Sequence, residues 1–231
     1  MPAALLALLA PLLVQTPPAA PPPAGTPPPV VKPYLVNVRI VEEIRLPDLD
    51  GKEHVLFEEF KDKTLVFVFW SFKDPVSRFY APHLAELQKQ HADKLAIVLI
   101  DSNHDELVAG NDPLVRLREI VAAEKVTLPL LLDHGNRLAD DFNATANGQV
   151  FLVDANHFVR YMGGIDDDPK GERRAQNIER RAWLEDALAS VLKGERPAQN
   201  QTRPSGRPIK RAPKGGVPNE GALPDPKKPP R

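Results

Sequence analysis

The 231-residue chain has no cysteine. It therefore forms no disulfide, presents no thiolate nucleophile and builds no thiolate zinc site, and its redox compartment cannot be read from cysteine usage. Net charge is nearly absent as well, −1 at pH 7, so no global field draws the chain toward nucleic acid. Long apolar runs are missing except near the start, where Ala3 to Val14 is too short to cross a bilayer as a helix. That run suits the core of a signal peptide, although no Lys or Arg precedes it. The histidines, His54, His83, His91, His104, His134 and His157, form no i, i+4 pair, and neither a metal nor any other cofactor is expected.

What the chain has in excess is proline, 26 residues gathered toward the two ends. Residues 1–15 read as a signal peptide, implying export to a periplasmic or extracellular space. Residues 16–34 read as an extended Pro/Ala linker. From 195 to 231 apolar side chains are too sparse to offset the entropy of ordering, so a disordered tail is expected there. That tail carries nine basic and three acidic residues, a charge of +6 that leaves −7 on the rest. Its basic residues are scattered and no aromatic is interleaved, so nucleic acid is not the favoured partner.

Residues 35–194 alternate strands with helices. A short hairpin turns at Asp50 and Gly51. "TLVFVFW" (Thr64 to Trp70) and "LAIVLID" (Leu95 to Asp101) have the composition of buried central strands. Asp74–Pro75 and Asp112–Pro113 are helix starts: the carboxylate caps free N–H groups, and proline at the first helical position sacrifices no hydrogen bond. The first of these helices buries Val76, Tyr80, Leu84 and Leu87, with Pro82 bending it. "TLPLLLD" (Thr127 to Asp133) precedes a short helix near Arg137 to Phe142, a hairpin turns at Ala155 and Asn156, and a last helix covers roughly Gly171 to Lys193. Strands joined through helices run parallel and the hairpin adds antiparallel edges, giving an α/β fold with a central mixed sheet and helices on both faces.

With "LPDLDGKEH", "LVFVFWSFKDPVSR" and "LPLLLDHGNRLADDFNATANGQVFLVDANHFVRYMGGIDD" in this order, the chain resembles the redoxin branch of the thioredoxin-like superfamily, which holds thioredoxins, peroxiredoxins and thiol-specific antioxidant proteins. The resemblance spans roughly Ile44 to Leu192 and implies a thioredoxin-like fold. It also implies an attacking sulfur at Asp74 and a second sulfur at Ser77, neither of which can do thiol chemistry here. The family's cis-proline falls on Gly148; a non-proline cis bond costs several kcal/mol, so a trans peptide is expected there. A Gly-Cys-x-Ile-Lys segment of some members aligns with "SGRPIKR", placing Arg207 at its cysteine.

A carboxylate at a helix N-terminus imitates the charge of a thiolate without its chemistry, and capping favours the ionised form, which suits a cap better than a general base. Ser77 would need a histidine in reach, and His83 lies on another helical face. Lys73 and Arg78 flank the helix start as basic residues able to form an anion-binding lip. Residues Asp166 to Asp168 lack calcium-loop spacing and read as a solvated acidic turn. Trp70 reads as core or pocket wall. The expectation is thus a cysteine-less, non-catalytic domain that binds an unknown protein or peptide on the face of Trp70, Lys73, Asp74, Arg78, Asn147, Gly148 and Gln149. The alternative implied by the resemblance is thiol-disulfide or antioxidant peroxidase activity, which needs a sulfur this chain lacks.

Overall fold

Seven consecutive residues with no exposed side chain, Thr64–Trp70, form the central strand β3 of a five-stranded sheet. The computed structural model describes residues 32–108 and 112–213; the expected signal peptide and most of the Pro/Ala linker lie outside them. The elements are β1 (Arg45–Pro47), β2 (Glu53–Val55), α1 (Leu56–Glu59), β3, α2 (Pro75–Gln90), β4 (Leu95–Asp101), α3 (His104–Leu107), α4 (Pro113–Ala123), β5 (Leu130–Leu132), α5 (Arg137–Asp141), β6 (Val150–Val153), β7 (Val159–Gly163), α6 (Glu172–Ala175) and α7 (Trp183–Leu192). Sheet order is β5-β4-β3-β6-β7, with β1 and β2 a separate antiparallel pair.

Parallel pairing holds β3 to β4, Thr64 opposite Leu95 and Trp70 opposite Asp101, and β4 to β5. β6 pairs antiparallel with β3, and β7 with β6. The sheet is mixed, as the order of helices and hairpin requires. The period of two along β3 explains why no residue in it is polar-facing. Val66, Val68 and Trp70 meet Tyr80 and Leu84 of α2, Leu117 of α4 and Leu184 and Leu188 of α7. Leu65, Phe67 and Phe69 meet Tyr34, Ile40, Leu138 and Phe142 on the other side. A strand covered on both faces must be apolar throughout.

Both Asp-Pro helix starts form. Asp74 Oδ2 accepts from the Ser77 amide at 2.9 Å, and Asp112 Oδ1 accepts from the Val115 amide at 3.2 Å. α2 continues through Pro82 to Gln90, with Val76 only partly buried.

Four expectations shift. Packing starts before residue 35, because Tyr34 is buried edge-on against Phe142. α3 is an additional short helix between β4 and α4. The single last helix becomes α6 and α7, because residues 172–181 offer no apolar stripe to bury and Ile178 stays exposed. The packed domain also does not end at 194. Residues 195–213 are described, and from Asn200 to Ala212 they lie against the sheet, while 214–231 fall outside the described residues. The count of apolar side chains misjudged this segment because main-chain hydrogen bonds hold it, with Ile209 as its buried aliphatic anchor.

Candidate functional site

The β3–α2 junction sets the site. β3 ends at Trp70, and Asp74, at φ −96° and ψ 115°, turns the chain into α2 with Pro75 in the first turn. Both Asp74 oxygens are engaged. Oδ2 accepts from the amide and the hydroxyl of Ser77, each at 2.9 Å, and Oδ1 accepts from the Arg207 amide at 3.2 Å. Asp74 is only 1% exposed. It is a helix cap sealed from outside by the chain's own C-terminal segment.

The Gly148 loop stands beside it. The Asn147–Gly148 peptide is trans, and Gly148 adopts φ +78° while its amide donates to the Phe69 carbonyl at 2.6 Å. Asn147 donates from its main chain to the Arg207 carbonyl at 2.8 Å and from Nδ2 to the same oxygen at 3.2 Å. Its side chain also exchanges hydrogen bonds with Asn103, Nδ2 to Oδ1 at 3.2 Å and the reverse at 3.0 Å. Gln149 turns back on the loop, Oε1 accepting from the Thr145 amide at 2.8 Å.

The segment that closes the site is a strap. It begins on β7, where Gln201 bridges Met162 in parallel and Thr202 Oγ1 accepts from the Gly164 amide at 3.0 Å. It then crosses the C-terminal ends of β3 and β4, with Pro208 bridging Ala146 antiparallel and the Ile209 amide donating to the Thr145 carbonyl at 3.1 Å. Arg207 Nη1 reaches the Lys73 carbonyl at 3.0 Å. Arg207 thus lies directly over Asp74.

The sequence-predicted binding face is therefore brought together but not left open. Trp70, Asp74, Asn147, Gly148 and Gln149 are buried, whereas Lys73 and Arg78 are exposed. These two bases do not form a free anion lip: Lys73 pairs with Asp105 at 2.9 Å and Arg78 with Glu124. Ser77 is buried with its hydroxyl spent on Asp74, and His83 faces Glu185 at 2.9 Å instead. The acidic turn is not solvated. Asp166 is buried against Tyr80, Arg174 and Arg180, and Asp168 caps the amides of Arg173 and Arg174, each at 3.0 Å. Among the described residues no group of three or more His, Asp or Glu is arranged to hold a metal.

Sequence reasoning missed a buried acid pair beneath the strap. Asp101, fully buried, accepts the Asn103 amide and side chain on Oδ1 at 2.8 and 3.0 Å, and Glu106 accepts from the Ser71 hydroxyl and the Phe72 amide. Burial, then the adjoining Glu106 carboxylate, push the Asp101 carboxyl well above the ordinary range, and burial raises Glu106. A carboxyl whose pKa is raised by folding binds its proton more tightly in the native state. Its stabilising effect is complete below the unfolded value and is lost as pH rises toward the folded one. Unfolding free energy should thus fall from about pH 4 upward, by up to about 1.4 kcal/mol per pH unit within that window. Asp101→Asn should flatten this slope in urea titrations run between pH 5 and 8, and an unchanged slope would remove the pair as its source. The polar run "DSN" (Asp101 to Asn103) at the end of an apolar strand was the available signal.

Strand order, the β3–α2 junction and the loop beside it define a thioredoxin-like domain, with Asp74 capping α2 and Ser77 in its first turn. The AhpC/TSA family profile matches residues 39–162, and the chain belongs to that family. Comparison with curated proteins gave no match. Among solved structures, a hypothetical protein from Sinorhizobium meliloti 1021 is 27% identical with a TM-score of 0.66, over 77% of this chain and 95% of that one. An uncharacterized conserved protein from Geobacillus kaustophilus is 20% identical, also at 0.66, over 78% and 94%. A peroxidoxin from Mycobacterium tuberculosis aligns more loosely, at 20% identity and 0.45 over 54% and 82%.

Proposed function

We propose that this chain is an exported, non-catalytic member of its family that binds a protein or peptide partner on the face where thiol chemistry would otherwise occur. The observation carrying this reading is that the face holds an extended segment through main-chain hydrogen bonds at Thr145, Asn147 and His104, over the Asp74 carboxylate. Extended-strand addition of this kind is a general mode of peptide recognition. Thiol-disulfide exchange and thiol peroxidase chemistry both begin with a thiolate, and the chain has none. The acidic helix cap supplies charge at that point and no electrons.

The test has two arms. Purified protein should consume peroxide and reduce insulin disulfides no faster than a heat-killed control, and turnover above that control would sink the non-catalytic reading. Immobilised protein should retain a partner from an envelope extract, with at least fivefold lower recovery by Asn147→Leu, which removes the amide that grips an extended occupant. Equal recovery by a folded Asn147→Leu variant would place the binding elsewhere.

A further inference from the structure

Three asparagine side chains are devoted to the main chain of the strap. Asn103 Oδ1 accepts from the Lys210 amide at 3.1 Å, while its Nδ2 is anchored on the Trp70 carbonyl at 3.2 Å. Asn136 Oδ1 accepts from the Ala212 amide at 2.6 Å, its Nδ2 resting on the Ser102 carbonyl. Asn147 Nδ2 donates to the Arg207 carbonyl at 3.2 Å. Each amide is fixed by the domain on one side and presents the other side to an extended chain. The His104 amide adds a donor to the Lys210 carbonyl at 2.8 Å, so Lys210 is held at both its N–H and its C=O.

Side-chain selection is superimposed on this main-chain grip at two positions. Gly206 has φ +136°, and a Cβ there would lie 2.1 Å from the Asn147 carbonyl oxygen and 3.2 Å from Asp74 Oδ2, so only glycine fits. Ile209 is 6% exposed and enters the cluster that contains Phe142 and Ala144. At the basic positions, Arg207 Nη1 donates to the Lys73 carbonyl at 3.0 Å and Arg211 pairs with Asp140 at 2.7 Å.

The geometry points to a peptide-docking groove whose strap, residues 205–212, is a cis-bound occupant, and whose ligand in trans is an extended basic segment of the same kind: glycine, a basic residue, proline, an aliphatic residue, then two bases. This rests on the reading of the face as a binding surface and adds the chemistry of what binds. A tethered occupant competes at an effective concentration of order millimolar, so the full chain holds the groove shut against a trans ligand of ordinary affinity. A partner gains access only by outcompeting the strap or after the strap is displaced.

The experiment uses the full chain and a fluorescein-labelled synthetic peptide, Ser-Gly-Arg-Pro-Ile-Lys-Arg-Ala. Gly206→Val evicts the chain's own strap while leaving every groove residue in place, and Ile209→Asp does so at a second point. Hydrogen exchange at the amides of Arg207, Lys210 and Ala212 reports the eviction. Both variants should bind the peptide at least tenfold more tightly than wild type, and a peptide with valine in place of its glycine should not bind. Released amides without peptide binding overturn the proposal. So do amides that stay protected in both variants, and so does failure of both to fold, since the strap is then part of the core. Running the envelope capture on the same variants separates the two readings: a partner retained while the peptide is refused overturns the ligand chemistry alone, and loss of both overturns the binding face too.

Discussion

Gly148→Pro is expected to destabilise the domain by about 3 kcal/mol or more. Proline fixes φ near −65°, whereas Gly148 stands at +78°, in the left-handed region. Its amide, which proline lacks, donates to the Phe69 carbonyl at 2.6 Å at the end of the central strand. Any Cβ there would also sit 2.9 Å from the Ser205 carbonyl oxygen. The lost hydrogen bond accounts for about 1 kcal/mol, more with its acceptor buried, and the incompatible dihedral for a further 1–3 or so. Urea denaturation measures the sum. A variant as stable as wild type would mean that the loop readily accepts proline's φ and does not depend on the Gly148 amide.

Removing the Asp166 carboxylate should be comparably severe. Asp166 has no exposed side-chain surface and accepts from the Tyr80 hydroxyl, from Arg174, from Arg180 Nη1 at 3.0 Å and from the Asp168 amide at 2.8 Å. Burial and this neighbouring carboxylate hold the Tyr80 hydroxyl protonated far above neutrality. Arg180 continues the chain of contacts to Glu185, which also meets His83 on α2. His83 and Arg180 together pull the Glu185 carboxyl down to about 2. Deleting one member of a buried charged cluster leaves the others desolvated and unpaired, at a cost of about 3–5 kcal/mol. The lower end applies to Asp166→Ala, because Arg174 and Arg180 retain some solvent. Loss of near-ultraviolet dichroism at Tyr80 should accompany the change. A cost below about 1 kcal/mol would show that the segment between β7 and α7 does not need this cluster to stay on α2.

Where local chemistry decides structure, the residues were legible one at a time. Asp74–Pro75 and Asp112–Pro113 start helices because a carboxylate followed by proline satisfies free amides without tertiary help. Thr64–Trp70 is a central strand because an unbroken apolar run tolerates cover on both faces and no other placement. The absence of sulfur at the β3–α2 junction was equally plain. The acidic turn was misread because charge in a sequence looks solvated until its cations are located. Arg174 and Arg180 reach Asp166 from 8 and 14 residues away, across a break in the expected helix. The lip of Lys73 and Arg78 failed for the same reason, since Asp105 and Glu124 arrive from other elements.

By itself the sequence determined the order of the sheet strands, the two Asp-Pro helices, the thioredoxin-like class and the absence of any thiol, because each follows from side-chain type and short-range pattern. Only the tertiary structure decided that the face at the β3–α2 junction is closed, and by what. Closure depends on main-chain hydrogen bonds between residues as distant as Asn147 and Arg207, or His104 and Lys210. Main-chain donors and acceptors are the same in every residue but proline, so no composition or periodicity reveals which distant segment they will grip.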